Sequence, residues 1–250
     1  KSKKLDTKDL KGKWESFVIT TIDNPQPGTK SCLLIVGSDK RGTIYGIYEL
    51  AQQLGVSPWY WWADVPVKHR ASAYVLAGRY TSGEPKVKYR GIFINDEAPC
   101  LTTWVKNTYG TDYGDHRFYS RVFELILRLK GNYLWPAMWG WAFYADDPMN
   151  SQLADEMGVV IGTSHHEPMA RNHQEWTRNR KEYGAWNYAT NQTVIDKFFT
   201  EGIERMKNTE DIVTIGMRGD GDEAMSKETD VQLLERVVKN QRKIIEKVTK

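Results

Sequence analysis

The sequence predicts an α/β fold in which a small N-terminal α/β domain precedes the first four βα units of a TIM-type (β/α)8 barrel. After Pro85, a short apolar strand, a polar loop and a helical stretch recur in order, and such alternation is typical of a parallel sheet with right-handed crossovers. The first of these strands ends in the acidic run Asn95-Asp96-Glu97, where a doubly wound nucleotide-binding fold would have a glycine-rich turn. This difference favours the barrel.

The N-terminal domain is predicted over residues 1–83. Its elements are two apolar strands separated by a turn-rich segment and then a helix: 14–22, 32–37 and 44–54. Ser38 or Asp39 can cap the start of this helix, and Gly55 can end it. The turn-forming segment 78–85 is the strongest boundary signal in the chain and separates the two domains.

The barrel domain is predicted over residues 84–250. Its strands are short and apolar: 89–94, 133–135, 159–162 and 211–216. Helices are predicted where apolar residues recur at helical spacing: 118–129, about 190–207 and 231–248. The last helix carries its apolar residues, among them Val231 and Leu234, at a period near that of a coiled coil. The chain ends after this helix, where a fifth strand would begin, so we expect it to hold the first half of a barrel.

Composition excludes several classes of function. No apolar run among the 250 residues approaches the roughly 18–20 that cross a bilayer, so no membrane partner is predicted. The two cysteines, Cys32 and Cys100, cannot form a cysteine-rich zinc site. Basic and acidic side chains are mixed and give a net charge of +3, so no nucleic-acid partner is predicted. Aromatic residues are abundant, with 10 tryptophans, and the function must explain them.

Polar, ionisable or indole side chains follow every predicted barrel strand, and the C-terminal strand ends of such barrels form the active site. They are Asn95, Asp96 and Glu97 after the first strand, Trp135, Trp139 and Trp141 after the second, His165, His166 and Glu167 after the third, and Arg218, Asp220, Asp222 and Glu223 after the fourth. Glycoside hydrolysis needs two carboxyl groups, one as acid and one to activate water. Indole faces stack on sugars, and Arg218 can bind a substrate carboxylate through two hydrogen bonds.

Each of these groups also has a structural alternative. Asp96 or Glu97 could order its loop, and the acidic residues at 220–223 could cap the last helix. The run His165-His166-Glu167 could suggest a metal, but it lacks the spacing of HExxH, and adjacent side chains at a strand end point in opposite directions. We therefore predict no metal and no cofactor, and we expect His165 to hydrogen-bond to substrate or to a carboxylate.

Five segments are distinctive when taken together: SPWYWWADVPV (57–67), KYRGIFINDEAP (88–99), NYLWPAMWG (132–140), DEMGVVIGTSHHEPM (155–169) and MRGDGDEAM (217–225). In this order they resemble glycoside hydrolase family 115, the xylan α-1,2-glucuronidases, over nearly the whole chain. The segment 37–48 also resembles the small α/β domain that precedes the barrel in several glycosidase families.

The resemblance implies removal of glucuronic acid, or its 4-O-methyl ether, from glucuronoxylan or its oligosaccharides, with inversion at the anomeric carbon. On the family pattern Asp222 is one catalytic carboxylate. The pattern also assigns five substrate-binding residues, namely Asn95, Asp96, Trp139, His165 and Arg218. The second carboxylate would lie beyond Lys250, so we expect this chain to be inactive alone. The substrate implies a secreted or periplasmic protein, and the resemblance leaves a homodimer of the full-length protein open.

Two other functions stay open. The first is a β-N-acetylhexosaminidase, which would share the small domain and use the pair Asp222-Glu223 to orient the substrate and donate a proton. Arg218 beside this pair fits a uronate better. The second is a non-catalytic sugar-binding fragment, a possibility motivated by the missing half of the barrel.

Overall fold

Helices alternate with short strands in the computed structural model, which describes residues 5–96, 98–136, 139–221, 223–225 and 230–250. These residues group into two units. The first holds the residues up to Arg90 together with Glu124–Asn132, and the second holds Gly91–Phe123 with Tyr133–Lys250. The mixed α/β class predicted from the sequence is confirmed.

The first unit is built on an antiparallel sheet. Its elements are a 3-10 turn at Lys8–Leu10, β1 (Phe17–Gln26), β2 (Thr29–Gly37), α1 (Lys40–Gln53) and β3 (Arg79–Ser82), with the sheet order β2–β1–β3. Strands β1 and β2 extend into the segment that was expected to be a wide turn, because they pair as far as Gln26 opposite Thr29. Strand β3 lies inside the predicted boundary segment and pairs with β1. Four residues, three of them exposed, leave too short a pattern next to a turn to predict a strand.

Helix α1 begins where its capping residue predicts. The Asp39 carboxylate accepts a hydrogen bond from Gly42 N at 2.7 Å and another from Glu15 N at 2.7 Å, so it caps the helix and fixes the chain before β1. A methyl group on Gly46 would lie 2.6 Å from Ile35 Cγ2. Glycine at this position therefore lets α1 approach β2 closely.

A buried carboxylate organises the contacts within the first unit. Glu15 accepts hydrogen bonds from Arg41 Nε at 2.6 Å, from Asn132 Nδ2 at 2.6 Å and from an Arg90 amino group. The Glu15 side chain is fully buried, whereas both guanidinium groups reach solvent. Asn132 Oδ1 also accepts from Arg90 N at 2.8 Å. These partners allow a carboxylate to be buried without a large desolvation penalty.

The second unit contains a parallel sheet with the strand order β4 (Gly91–Phe93), β5 (Tyr133–Trp135) and β6 (Val160–Ile161). Gly91 pairs with Tyr133, and Tyr133 pairs in turn with Val160. The helices after α1 are α2 (Cys100–Tyr109), α3 (His116–Arg128), α4 (Phe143–Asp146), α5 (Met149–Met157), α6 (His173–Arg178), α7 (Arg180–Tyr183), α8 (Tyr188–Met206) and α9 (Val231–Thr249), with a 3-10 turn at Pro168–Ala170. Helix α2 falls in a stretch expected to be a polar loop.

The apolar patterns of α3 and α9 differ in how well they predict the buried face. Phe118 and Val122 of α3 are buried as the pattern predicts. In α9, however, Leu233 and Val237 are buried, whereas Val231 and Leu234 of the sequence pattern are exposed. Helix α9 lies beside α8, and its buried side is therefore the one turned toward that helix.

The segment 211–216 was predicted to be the fourth barrel strand, and this prediction is wrong. The segment does run beside β6, because Ile212 N donates to Ile161 O at 2.9 Å. Ile161 N donates to Asp211 Oδ1 at 2.9 Å, so a side chain takes the place of the backbone acceptor that a ladder requires. Within the described residues, the parallel sheet therefore has three strands, in the order β4–β5–β6.

Among the described residues, no helix is both long and apolar enough to span a membrane. In the same part of the chain, no group of three or more His, Cys, Asp or Glu residues could hold a metal ion. Cys32 and Cys100 are free thiols, and Cys100 is exposed.

Candidate functional site

The loops after the parallel strands are joined by a buried carboxylate. Parallel strands bring their carboxyl ends to one edge of the sheet, and Asp96 follows β4 at this edge. Its carboxylate is buried and accepts hydrogen bonds from Trp139 N at 2.6 Å, Gly140 N at 2.8 Å and Trp141 N at 3.2 Å. Asp96 therefore fixes the backbone of the loop that follows β5.

A second buried link connects the loops after β5 and β6. Asn172 Nδ2 donates to Trp141 O at 2.7 Å and to Glu167 Oε1 at 2.9 Å, and Ser164 N donates to Glu167 Oε2 at 3.3 Å. Asn172 also caps α6 through Gln174 N. Burial raises the pKa of the Glu167 carboxyl to about 8, and it outweighs the lowering effect of these hydrogen bonds.

A small cleft of about 10 Å³ lies beside these loops. It is lined by His165, His166, His173, Trp186, Arg218 and Gly221, together with Pro168 and Gly219. The Arg218 backbone is held because Trp186 Nε1 donates to Arg218 O at 3.0 Å. The Arg218 side chain lies with Nη1 3.2 Å from His166 Nε2. The His166 ring in turn meets the Trp139 indole, with centroids 5.0 Å apart.

The pKa values of the three cleft histidines are lowered. Burial, followed by repulsion from His165, Arg218 and His173, lowers the pKa of His166 to about 4. Burial also lowers the pKa of His165 and of His173, and the nearby Arg218 adds to the effect on His165. Because arginine stays protonated in proteins, Arg218 is a permanent cation of this cleft at neutral pH. The arrangement suits an anionic ligand that brings apolar sugar faces to the Trp139 ring.

The Asp220 carboxylate is paired with Arg180 and His173 at one side of the cleft. This carboxylate accepts from Arg180 Nη1 at 2.5 Å and Nη2 at 2.7 Å, and it lies 3.0 Å from His173 Nε2. The hydrogen bonds from Arg180 are the main reason that the pKa of Asp220 is lowered. Helix α9 is capped instead by Asp230, whose Oδ1 accepts from Leu233 N at 2.8 Å. The capping role considered for Asp220 is therefore wrong.

The structure brings several predicted site residues together. Trp139, His165 and Arg218 gather around His166, and Trp139 and His165 are exposed. Asn95 is exposed at the end of β4. The predicted catalytic residue Asp222 lies outside the described residues, and so does Glu97, the candidate that follows Asp96 in the sequence.

Three side chains of the cleft, His166, His173 and Trp186, were not among the predicted site residues. His173 belongs to no recognised motif. Trp186 lies between α7 and α8, distant in the sequence from any predicted strand end. His166 was weighed only as part of a possible metal motif. A period-two pattern at a strand end could not decide which of two adjacent histidines faces Arg218, because the chain turns at Ser164.

A parallel sheet with an indole and histidines in the loops after its strands, and an arginine against one of these histidines, fits an enzyme that acts on sugars. The family model described as glycosyl hydrolase family 115 matches residues 82–250. The chain is thus a glycoside hydrolase sequence, and it belongs to glycoside hydrolase family 115. The resemblance found in the sequence motifs is confirmed.

A solved structure is also similar. It is BtGH115A, a family GH115 4-O-methyl-α-glucuronidase with specificity for decorated arabinogalactans, which shares 36% identity and a TM-score of 0.83. The match covers 98% of this chain and 32% of that chain, so the sequence spans about a third of its relative's length. No curated protein sequence matches the chain significantly.

Proposed function

We propose that this chain forms part of the active site of an inverting α-glucuronidase that removes α-1,2-linked glucuronic acid, or its 4-O-methyl ether, from xylan. The observation that carries the proposal is that Arg218, which lines the cleft, and Trp139 both contact His166. A guanidinium binds a carboxylate with two parallel hydrogen bonds, and an uncharged sugar offers no such partner. Family membership favours this activity over a β-N-acetylhexosaminidase.

The site residues take separate roles in this proposal. Arg218 binds the uronate carboxylate, Trp139 packs on the sugar ring, and Asn95 and His165 donate or accept hydrogen bonds to its hydroxyl groups. Asp96 contributes by fixing the loop that presents Trp139. Asp222 is proposed as one of the two catalytic carboxylates.

Inversion requires a water molecule between two carboxyl groups, which then stand roughly 6.5–9.5 Å apart. We place the partner of Asp222 in residues outside this sequence, at the end of a further barrel strand. The length of the family relative, of which this chain covers 32%, supports that placement. The proposal therefore includes a complete (β/α)8 barrel in the whole protein, and a 250-residue chain that does not turn over substrate by itself.

The test is hydrolysis of glucuronoxylan by the whole protein that carries this chain. We expect release of uronic acid, and NMR of the first product should show the inverted anomer. Asp222→Asn should lower kcat by about 10²–10⁴-fold, because a carboxylate that transfers protons contributes in this range. Release of the retained anomer would refute inversion, and full activity of Asp222→Asn would refute its catalytic role.

Decorated arabinogalactan is the second candidate substrate, since BtGH115A has specificity for it. Parallel assays on glucuronoxylan and on a glucuronic acid-decorated arabinogalactan would separate the two, because both need the same uronate pocket but different backbone contacts. Uronic acid binding without release from either polymer would instead favour a sugar-binding module. Polymers of this size cannot enter a cell, so we propose a secreted or periplasmic location.

A further inference from the structure

His166 contacts three of the proposed sugar-binding residues, its neighbour His165 and the more distant Trp139 and Arg218, but has no assigned role. Its Nε2 lies 3.2 Å from Arg218 Nη1, and its ring centroid lies 5.0 Å from that of Trp139 with a 48° tilt. Trp139 and Arg218 come from different loops: Trp139 lies in the loop after β5, and Arg218 follows the segment 211–216. His166 thus bridges loops that the sheet alone does not join.

The direction of the Arg218–His166 hydrogen bond follows from the chemistry of the two groups. A guanidinium has N–H donors and no acceptor, so His166 Nε2 must accept. This nitrogen is therefore unprotonated, and the ring proton of neutral His166 lies on Nδ1. The low pKa of His166 agrees, because burial and the facing His165, His173 and Arg218 all oppose a second proton.

The backbone around His166 is also fixed. His166 N donates to Ser164 Oγ at 3.0 Å, and His173 N donates to His166 O at 3.2 Å. The next residue, Glu167, is held by Ser164 N and Asn172 Nδ2. The imidazole is thus presented from a turn that is hydrogen-bonded on both sides, which reduces the entropy lost when it orients a neighbour.

We propose that His166 is a positioning residue, whose unprotonated Nε2 orients the Arg218 guanidinium while its ring packs against Trp139, so that both meet one bound uronic acid. This role rests on the proposed function, because it presumes that Arg218 binds the uronate carboxylate. Removal of the acceptor leaves Arg218 charged but wrongly oriented. The loss should then fall on binding of the carboxylate and spare the rest of the sugar.

The test compares two variants at position 166. His166→Phe keeps a ring against Trp139 and removes the acceptor, whereas His166→Gln supplies an oxygen at a similar reach. Calorimetry with D-glucuronate and with its neutral methyl ester measures the charge-dependent part of affinity. We expect His166→Phe to weaken D-glucuronate binding about tenfold, with little change for the ester, and His166→Gln to restore much of the loss. His69→Phe, at an exposed histidine, controls for the replacement itself.

Two further measurements separate this role from a merely structural one. In an Arg218→Gln background, His166→Phe should have little additional effect on D-glucuronate binding, because the two residues act through one interaction. In the unaltered protein, ¹⁵N NMR should show Nε2 of His166 unprotonated at neutral pH. Equal losses for D-glucuronate and the ester, additive effects with Arg218→Gln, or a protonated Nε2 would each overturn the proposal. If the unaltered protein binds the ester as well as D-glucuronate, the proposed function fails instead, and the NMR result still decides the hydrogen bond.

Discussion

The Glu167→Gln substitution should change how stability depends on pH. The Glu167 carboxyl is buried and accepts hydrogen bonds from Ser164 N at 3.3 Å and from Asn172 Nδ2 at 2.9 Å. Burial nevertheless raises the pKa of Glu167 from 4.5 to about 8. Between these values the folded chain keeps a proton that the unfolded chain releases.

The sign and size of the effect follow from this difference in bound protons. The unfolded state binds fewer protons across the interval, so the free energy of unfolding falls as pH rises through it. One unit of pKa difference corresponds to about 1.4 kcal/mol. Between about pH 5 and 7.5, Glu167 should therefore remove up to about 3 kcal/mol of stability.

Glutamine at position 167 keeps an oxygen for Asn172 and does not titrate. We expect the unfolding free energy of Glu167→Gln minus that of the unaltered protein to increase by about 3 kcal/mol as the pH rises from about 5 to 7.5. The lowered pKa values of His165, His166 and His173 give stability an opposite slope between about pH 4 and 6.5, but this slope is shared by both proteins and cancels.

Urea unfolding at several pH values measures the difference. Glu182→Gln, at an exposed glutamate in α7, provides the matched control and should follow the unaltered protein at every pH. If the free energy of unfolding changes with pH in the same way for Glu167→Gln and for the unaltered protein, the reasoning is refuted. This result would mean that Glu167 is ionised in the fold, with its two hydrogen bonds outweighing burial.

Two further predictions concern the other buried carboxylates. Glu15→Gln should lower the free energy of unfolding by about 3 kcal/mol in urea titrations, because it leaves Arg41 and Arg90 without their buried anion; a loss below about 1 kcal/mol would contradict this account. Asp96→Asn should cost about 2 kcal/mol and weaken D-glucuronate binding, because an amide cannot accept from three backbone N–H groups as a carboxylate does. Unchanged binding, measured by calorimetry, would show that the loop carrying Trp139 holds its shape without Asp96.

The sequence predicts those elements whose signals are local. Strand β5 occupies the three residues expected, and α1 begins after the capping residue Asp39. Apolar spacing also predicts the buried Phe118 face of α3. In each case the side chains within one element decide the result, so no knowledge of distant partners is needed.

The failures share a dependence on partners that are distant in the sequence. Asp211 Oδ1 accepts from Ile161 N of β6 in place of a backbone carbonyl, and the β-rich segment 211–216 therefore does not become a strand. The buried face of α9 is set by its contact with α8 and by Gln241, whose side chain accepts from Gly216 N at 2.7 Å and donates to Gly216 O at 2.6 Å. In the sequence, a polar residue such as Gln241, which hydrogen-bonds to a distant loop, cannot be distinguished from a residue that faces solvent.

The candidate site depends both on local sequence signals and on partners that are distant in the sequence. Its exposed members, Trp139 and His165, were predicted because strand-end loops carry them. The polar groups that hold these loops were predicted less well, since an acidic residue at a strand end can either bind substrate or bind the protein. Only the three-dimensional partners separate these roles.

The hydrogen bonds of two acidic loop residues, Asp96 and Asp220, indicate that their carboxylates hold the protein's own loops. Asp96 accepts from three backbone N–H groups of one loop, and Asp220 is paired with Arg180 and His173. A carboxylate in a bidentate pair with arginine has a lowered pKa and is a poor proton donor or acceptor. Asp220 is therefore better suited to hold the loop at 219–221 than to act on substrate.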